Sequence, residues 1–165
     1  MSNEKNRMAV RDPIAMFMKE HDAALVQLRI LKKSAEEMKK NGYSEKVFKQ
    51  MLKAAAFVDE EVRVHNAKEE GALFPIVERY VDGPTNVMRD DHVRMAKIYK
   101  KLHYSITTMQ ASHDDKIARE ELFDAAESIV QLMVNHIHKE NLILFPLVKR
   151  FLTKDELREV AQRLL

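Results

Sequence analysis

The two halves of this 165-residue chain overlay at a constant offset of 71 residues with no gap across their informative parts. Glu20-His21 falls on Asp91-His92, Val64-His65 on Asn135-His136, Glu69 on Glu140, Phe74-Pro75 on Phe145-Pro146 and Arg79 on Arg150. A sequence written twice at this length folds as two copies of one supersecondary unit facing each other, because a solenoid needs at least three repeats to bury its faces.

Each unit reads as a pair of helices. Asp12 followed by Pro13 is a cap-and-proline start, and the helix it opens can run to the Asn41-Gly42 stop. Its apolar stripe carries Ile14, Phe17, Met18, Leu25, Leu28 and Leu31. Ser44 can cap a second helix carrying Val47, Met51, Ala54, Ala55, Val58, Val62, His65 and Glu69, and Pro75 is expected to kink or end it. Gly83-Pro84 separates the halves.

A third helix from about Thr85 carries His92, Met95, Ala96, Tyr99 and Leu102, and a fourth runs from about Asp115 through His136 and Glu140 to the Pro146 region. Thr153 and Glu156 form a capping box that opens a short last helix. Strand-like alternation is absent. The expected fold is all-α: an antiparallel up-down four-helix bundle of two repeated helix pairs with a short C-terminal fifth helix, spanning 12–165 after a flexible N-terminus over 1–11.

Composition narrows the function. Three Gly and four Pro leave room for few turns, and 45% hydrophobic with 33% charged residues describes one globular core. A net charge of +2, with its Lys pairs spread along the chain, gives no nucleic-acid footprint. No run approaches the ~18 apolar residues of a membrane span, and Met1 to Val10 lacks a secretory apolar stretch, so no membrane partner and a cytoplasmic location are expected. The absence of Cys excludes disulfides, thiolate zinc sites and cysteine-ligated iron–sulfur clusters.

The repeated motif is His65-x-x-x-Glu69 and His136-x-x-x-Glu140, each preceded 44 residues earlier by another histidine, His21 and His92. Residues four apart on a helix share a face at about 6 Å, so each motif can aim an imidazole and a carboxylate at one point. His21 and His92, from the other two helices, complete a ring of six ligands converging on the bundle interior. Unpaired carboxylates are costly there, and metal cations supply the missing charge. Imidazole and carboxylate suit Fe, Mn or Zn. The Glu-x-x-His spacing of ferritin-like di-iron proteins and the His-Glu-x-x-His of zinc proteases are both absent.

These residues resemble the hemerythrin-like family of HHE cation-binding domains, from about Asp12 to Arg150 and including the Leu-Phe-Pro after each acidic motif. The resemblance implies a non-haem di-iron centre with an oxo or hydroxo bridge, His21, His65, His92 and His136 as terminal ligands, and Glu69 and Glu140 as bridging carboxylates. Oxygen carriers of the family have a further histidine one turn after the third-helix ligand and a carboxylate five residues after the fourth-helix ligand. Here Ala96 and Asn141 stand at those positions. With four protein ligands per iron and a solvent bridge, one position stays open on each.

The expected partner is therefore a small diatomic ligand or peroxide, reacted with or sensed rather than carried, with no nucleic acid and no membrane; a redox or iron-accepting protein partner is compatible. Iron storage or delivery, and reversible O2 carriage, are the alternatives. The four-His, two-Glu set is also similar to that of iron-centre repair proteins, whose additional Cys-containing N-terminal segment has no counterpart before His21.

Around this set, Phe17, Met18, Leu25 and Met95 are expected to wall an apolar pocket, with Tyr99 nearby and Ala96 beside a cavity. Glu61 reads as either an acceptor for His65 or a surface charge. Glu20 and Asp91, rotated about 100° from their neighbouring histidines, are expected to face water or a neighbouring helix. Glu70 competes with Glu69 as a ligand, and its counterpart Asn141 favours Glu69. His103, His113 and His138 are expected outside the site.

Overall fold

A computed structural model describes residues 12–165, so the segment 1–11 expected to be flexible lies outside the described residues. Four helical rods follow one another. The first is α1 (Pro13–Asn41). The second comprises α2 (Glu45–Phe57), α3 (Arg63–Lys68) and α4 (Phe74–Val77), joined without a break by π turns at Val58–Val62 and Glu69–Leu73. The third is α5 (Gly83–Ala111), and the fourth is α6 (Lys116–Lys139) continued through a π turn at Glu140–Leu144 into α7 (Phe145–Phe151). A short α8 (Lys154–Arg163) closes the chain. Among the described residues there is no strand, and no helix is long and apolar enough to cross a membrane.

The caps explain where the rods begin. Asp12 accepts the Ala15 N–H at 2.9 Å, Ser44 the Val47 N–H at 3.5 Å and Asp115 the Ala118 N–H at 3.1 Å, each satisfying a donor the first turn leaves free. Gly42 ends α1 at φ +83°, a conformation that favours glycine, with its N–H on the Met38 carbonyl at 2.9 Å.

The two rods stop at different distances from their prolines. The second ends at Val77, two residues after Pro75, whereas the fourth runs on past Pro146 to Phe151. Each proline enters helix through a π turn. Phe74 N–H reaches back five residues to the Glu69 carbonyl, and Phe145 N–H does the same to Glu140. The ladder has already left its i to i−4 register where the proline, which has no N–H, enters.

The interior is two apolar clusters with a polar layer between them. One fills the long end of the bundle with residues such as Leu28, Leu31, Met51, Leu102, Met109 and Ile129, and the other fills the opposite end with Ile14, Phe17, Phe74, Met88, Phe145 and Val160. Along every rod the change from one cluster to the other falls at His21, His65 to Glu69, His92, or His136 to Glu140. Helix α8 plugs the second cluster. Its capping box at Thr153 and Glu156 is formed, Arg79 pairs with Glu159 at 2.7 Å, and the Tyr80 hydroxyl donates to Glu156 at 2.5 Å.

Candidate metal centre

All six side chains singled out by the duplicated motif meet in the polar layer. Glu69 and Glu140 are fully buried, and His21, His65, His92 and His136 nearly so. Their inner atoms crowd together: His65 Nε2 lies 2.5 Å from Glu69 Oε1, His136 Nε2 2.8 Å from Glu140 Oε1, and His21 Nε2 3.2 Å from the same Glu140 oxygen. Ligand atoms of His21, His65, Glu69 and Glu140 fall within 4.8 Å of one another, as do those of Glu69, His92 and His136. Either set could hold a cation.

The outer nitrogen of every ring is occupied. His65 Nδ1 donates to Glu20 at 2.6 Å, His136 Nδ1 to Asp91 at 3.1 Å, His92 Nδ1 to Glu70 at 2.8 Å, and His21 Nδ1 to the Asn141 side-chain oxygen at 2.7 Å. Lys68 and Lys139 in turn hold Glu20 and Asp91 at 2.8 and 2.5 Å. A carboxylate or carbonyl oxygen can only accept, so each Nδ1 carries a proton, and the ring nitrogen left to bind a cation is the inward Nε2.

That protonation pattern leaves the interior short of positive charge. The inner nitrogens of His21 and His65 are 3.1 Å apart and those of His92 and His136 3.3 Å apart, so the two rings of a pair cannot both point a proton at the other. Neither oxygen of Glu69 or of Glu140 has a hydrogen-bond partner despite complete burial. Two buried carboxylates and four imidazole lone pairs aimed at one space are repulsive unless cations sit among them. The donor set fits metal ions.

The ionisation of the groups follows from the same crowding. Burial, and then the adjacent Glu140 charge, push the Glu69 carboxyl well above the usual range. Burial also acts on Glu140, but its close contacts with Glu69 and with the His136 and His21 imidazoles outweigh it and hold that carboxyl well below. Without a cation, the pair accommodates one negative charge more readily than two. Burial lowers His92 in spite of the Glu70 contact. Burial opposes ionisation at Glu20 and Asp91 as well, yet their imidazole and lysine partners bring both below their ordinary values.

The Hemerythrin HHE cation binding domain family matches residues 12–148. The chain belongs to the hemerythrin family. It is also 24% identical over 102 residues to the iron-sulfur cluster repair protein YtfE of Cronobacter sakazakii, a match covering 59% of this chain and 46% of that protein. The YtfE proteins of Escherichia coli and Shigella boydii are 22% identical over the same length and share of each chain. The chain thus spans about half the length of these curated relatives.

In this hemerythrin domain aromatic rings back the histidines from the terminal cluster. Phe145 stacks on His21 at 5.4 Å and Phe74 on His92 at 5.9 Å, while Phe17 meets His65 edge-on at 5.3 Å. On the other side of the layer lie two openings. A cavity of about 160 Å³ touches His21, His65, His136 and Glu140, and a more open groove of about 510 Å³ reaches His92, Glu70, Ala96 and Tyr99. Met95 and Met133 line both.

Several outlying residues are placed differently from the sequence reading. Ala96 does border an opening, though at an exposed position, and Met18 faces outward instead of walling the pocket. Leu25 packs against the long-end cluster. Glu61 is exposed at the cavity rim, and Glu20 takes the contact with His65. Glu70 approaches His92 from its outer nitrogen, on the side away from the converging atoms. His103, His113 and His138 are exposed.

Proposed function

We propose that the chain is a non-haem di-iron protein that reacts with or senses O2, NO or peroxide. In this reading His21 and His65 would hold one iron and His92 and His136 the other, with Glu69 and Glu140 available to both. The observation that carries it is the set of four orphaned carboxylate oxygens, two on Glu69 and two on Glu140, surrounded by inward-facing imidazole nitrogens. Glu69 belongs to both candidate ligand sets, which suits a carboxylate shared by two cations. Manganese or zinc fits the same donors.

Iron held there supplies redox equivalents and Lewis acidity to a small molecule. The chain supplies the rest. Glu20, Asp91, Glu70 and Asn141 fix the direction of each imidazole, the phenylalanines keep water out from one end, and the openings beside His65 and His92 admit a ligand of a few atoms. Ala96 and Asn141, where an oxygen carrier of the family has ligands, favour reaction or sensing over reversible carriage.

A second reading, iron delivery, is favoured by the likeness to proteins named for iron-sulfur cluster repair. One preparation separates the two. Protein purified without chelators is assayed for metal per chain, and its absorption is followed as azide, peroxide, O2 and NO are added anaerobically. Two irons per chain with ligand-dependent bands that persist through dialysis support the reactive or sensing centre. Iron lost readily to an acceptor chelator without turnover supports delivery, and zinc alone or no metal overturns both.

A further inference from the structure

The duplication extends beyond the six converging side chains to the groups that hold their outer nitrogens. Glu20 on His65 corresponds to Asp91 on His136 at the 71-residue offset, and each carboxylate is gripped by the corresponding lysine, Lys68 or Lys139. The remaining two positions also correspond, but not in charge. His92 Nδ1 donates to the Glu70 carboxylate at 2.8 Å, whereas His21 Nδ1 donates to the neutral Asn141 carboxamide at 2.7 Å. Among the described residues no lysine or arginine pairs with Glu70, whose partner is the His92 ring.

A carboxylate draws the imidazole proton toward itself more strongly than an amide oxygen does. The ring is left richer in electrons and becomes the better donor at its other nitrogen. Such outer partners change metal affinity by about 10- to 100-fold.

We propose that Glu70 makes the two metal positions unequal, so that the position served by His92 and His136 binds a divalent cation more tightly than the one served by His21 and His65. Both rings of the tighter position donate to carboxylates; at the weaker position only His65 does. Glu70 is thus a positioning residue that sets the order of filling. This rests on the two-metal reading above.

The test is a titration of chelator-stripped protein with Co(II) alone, followed by its visible absorption and by calorimetry, on the natural chain and on Glu70→Gln and Glu20→Gln. The natural chain should bind two Co(II) in two resolved steps about 10-fold or more apart. E70Q places a carboxamide on both sides and should weaken the first step, drawing the two together. E20Q weakens the second step and should drive them further apart. A merely structural disturbance would shift both steps in one direction in either variant, and circular dichroism of the metal-free forms checks that the helices persist. Two metals bound in indistinguishable steps by the natural chain, or an E70Q spacing equal to the natural one, overturns the proposal while leaving the two-metal reading intact. Fewer than two metals on the natural chain overturns both.

Discussion

Glu20 reaches from the first rod to the second and accepts the His65 Nδ1 proton at 2.6 Å, with its other oxygen held by Lys68 at 2.8 Å. Asp91 does the same for His136 between the third and fourth rods, with Lys139 behind it. Two imidazoles are therefore aimed by carboxylates that reach across from the preceding rod.

Replacing Asp91 with Asn should weaken metal retention by about 10- to 100-fold, because the amide is a poorer acceptor and leaves Lys139 without its partner. Metal per chain after dialysis against graded chelator reads this directly. The helical content of the metal-free protein should stay the same.

Glu69→Gln should separate stability from loading. The natural side chain is completely buried with no hydrogen-bond partner, so a neutral isostere removes a buried ionisable group rather than a favourable contact. We expect the metal-free variant to melt at the same temperature as the natural chain or above it, and to hold fewer than two metals. A large drop in its melting temperature would contradict this account of Glu69.

The pH dependence follows from the raised Glu69 carboxyl. Without metal, the folded chain keeps a proton there that the unfolded chain releases near the ordinary value of 4.5, so Glu69 makes folded-state stability fall as pH rises from 4.5 toward its higher folded value. Metal replaces that proton. The gap in melting temperature between loaded and metal-free protein should consequently widen with rising pH, and metal uptake should release acid. His92 is lowered by burial and already neutral near pH 7, so it adds no proton to that release.

Phe145 is 1% exposed, stacked on His21 and also on Phe17. Truncation to Ala should cost about 3–5 kcal/mol of folding stability from lost burial and the cavity left behind, measurable by urea unfolding. The stack with His21 goes too. Metal retention should fall in the same variant, since the His21 ring loses its stack and keeps the Asn141 hydrogen bond alone to orient it.

The bundle and the meeting of its six inner side chains were legible because both follow from spacing within a helix and from exact repetition between halves. Asp12-Pro13, Ser44, Asp115 and Thr153 announce helix starts through local hydrogen bonds that depend on only a few residues. The π turns before Pro75 and Pro146 leave no mark in hydrophobic periodicity; they show only in which carbonyl Phe74 and Phe145 choose. The contacts of Glu20 and Asp91 are hidden for a different reason. A rotation of about 100° carries each off its own neighbour's direction, yet it carries each onto a histidine of the next rod, 45 residues later in both halves. The lysines at 68 and 139 repeat at the same offset and were the signal that could have exposed both contacts.

The halves are interleaved at the polar layer. His21 is backed by Phe145 and held by Asn141, and His92 is backed by Phe74 and held by Glu70, so each of these rings leans on the other half of the sequence. Neither hairpin alone carries a finished socket, although each carries its own two histidines and one acid. Assembly of the halves and creation of the binding place are one event, and a chain whose hairpins drift apart loses the whole place at once.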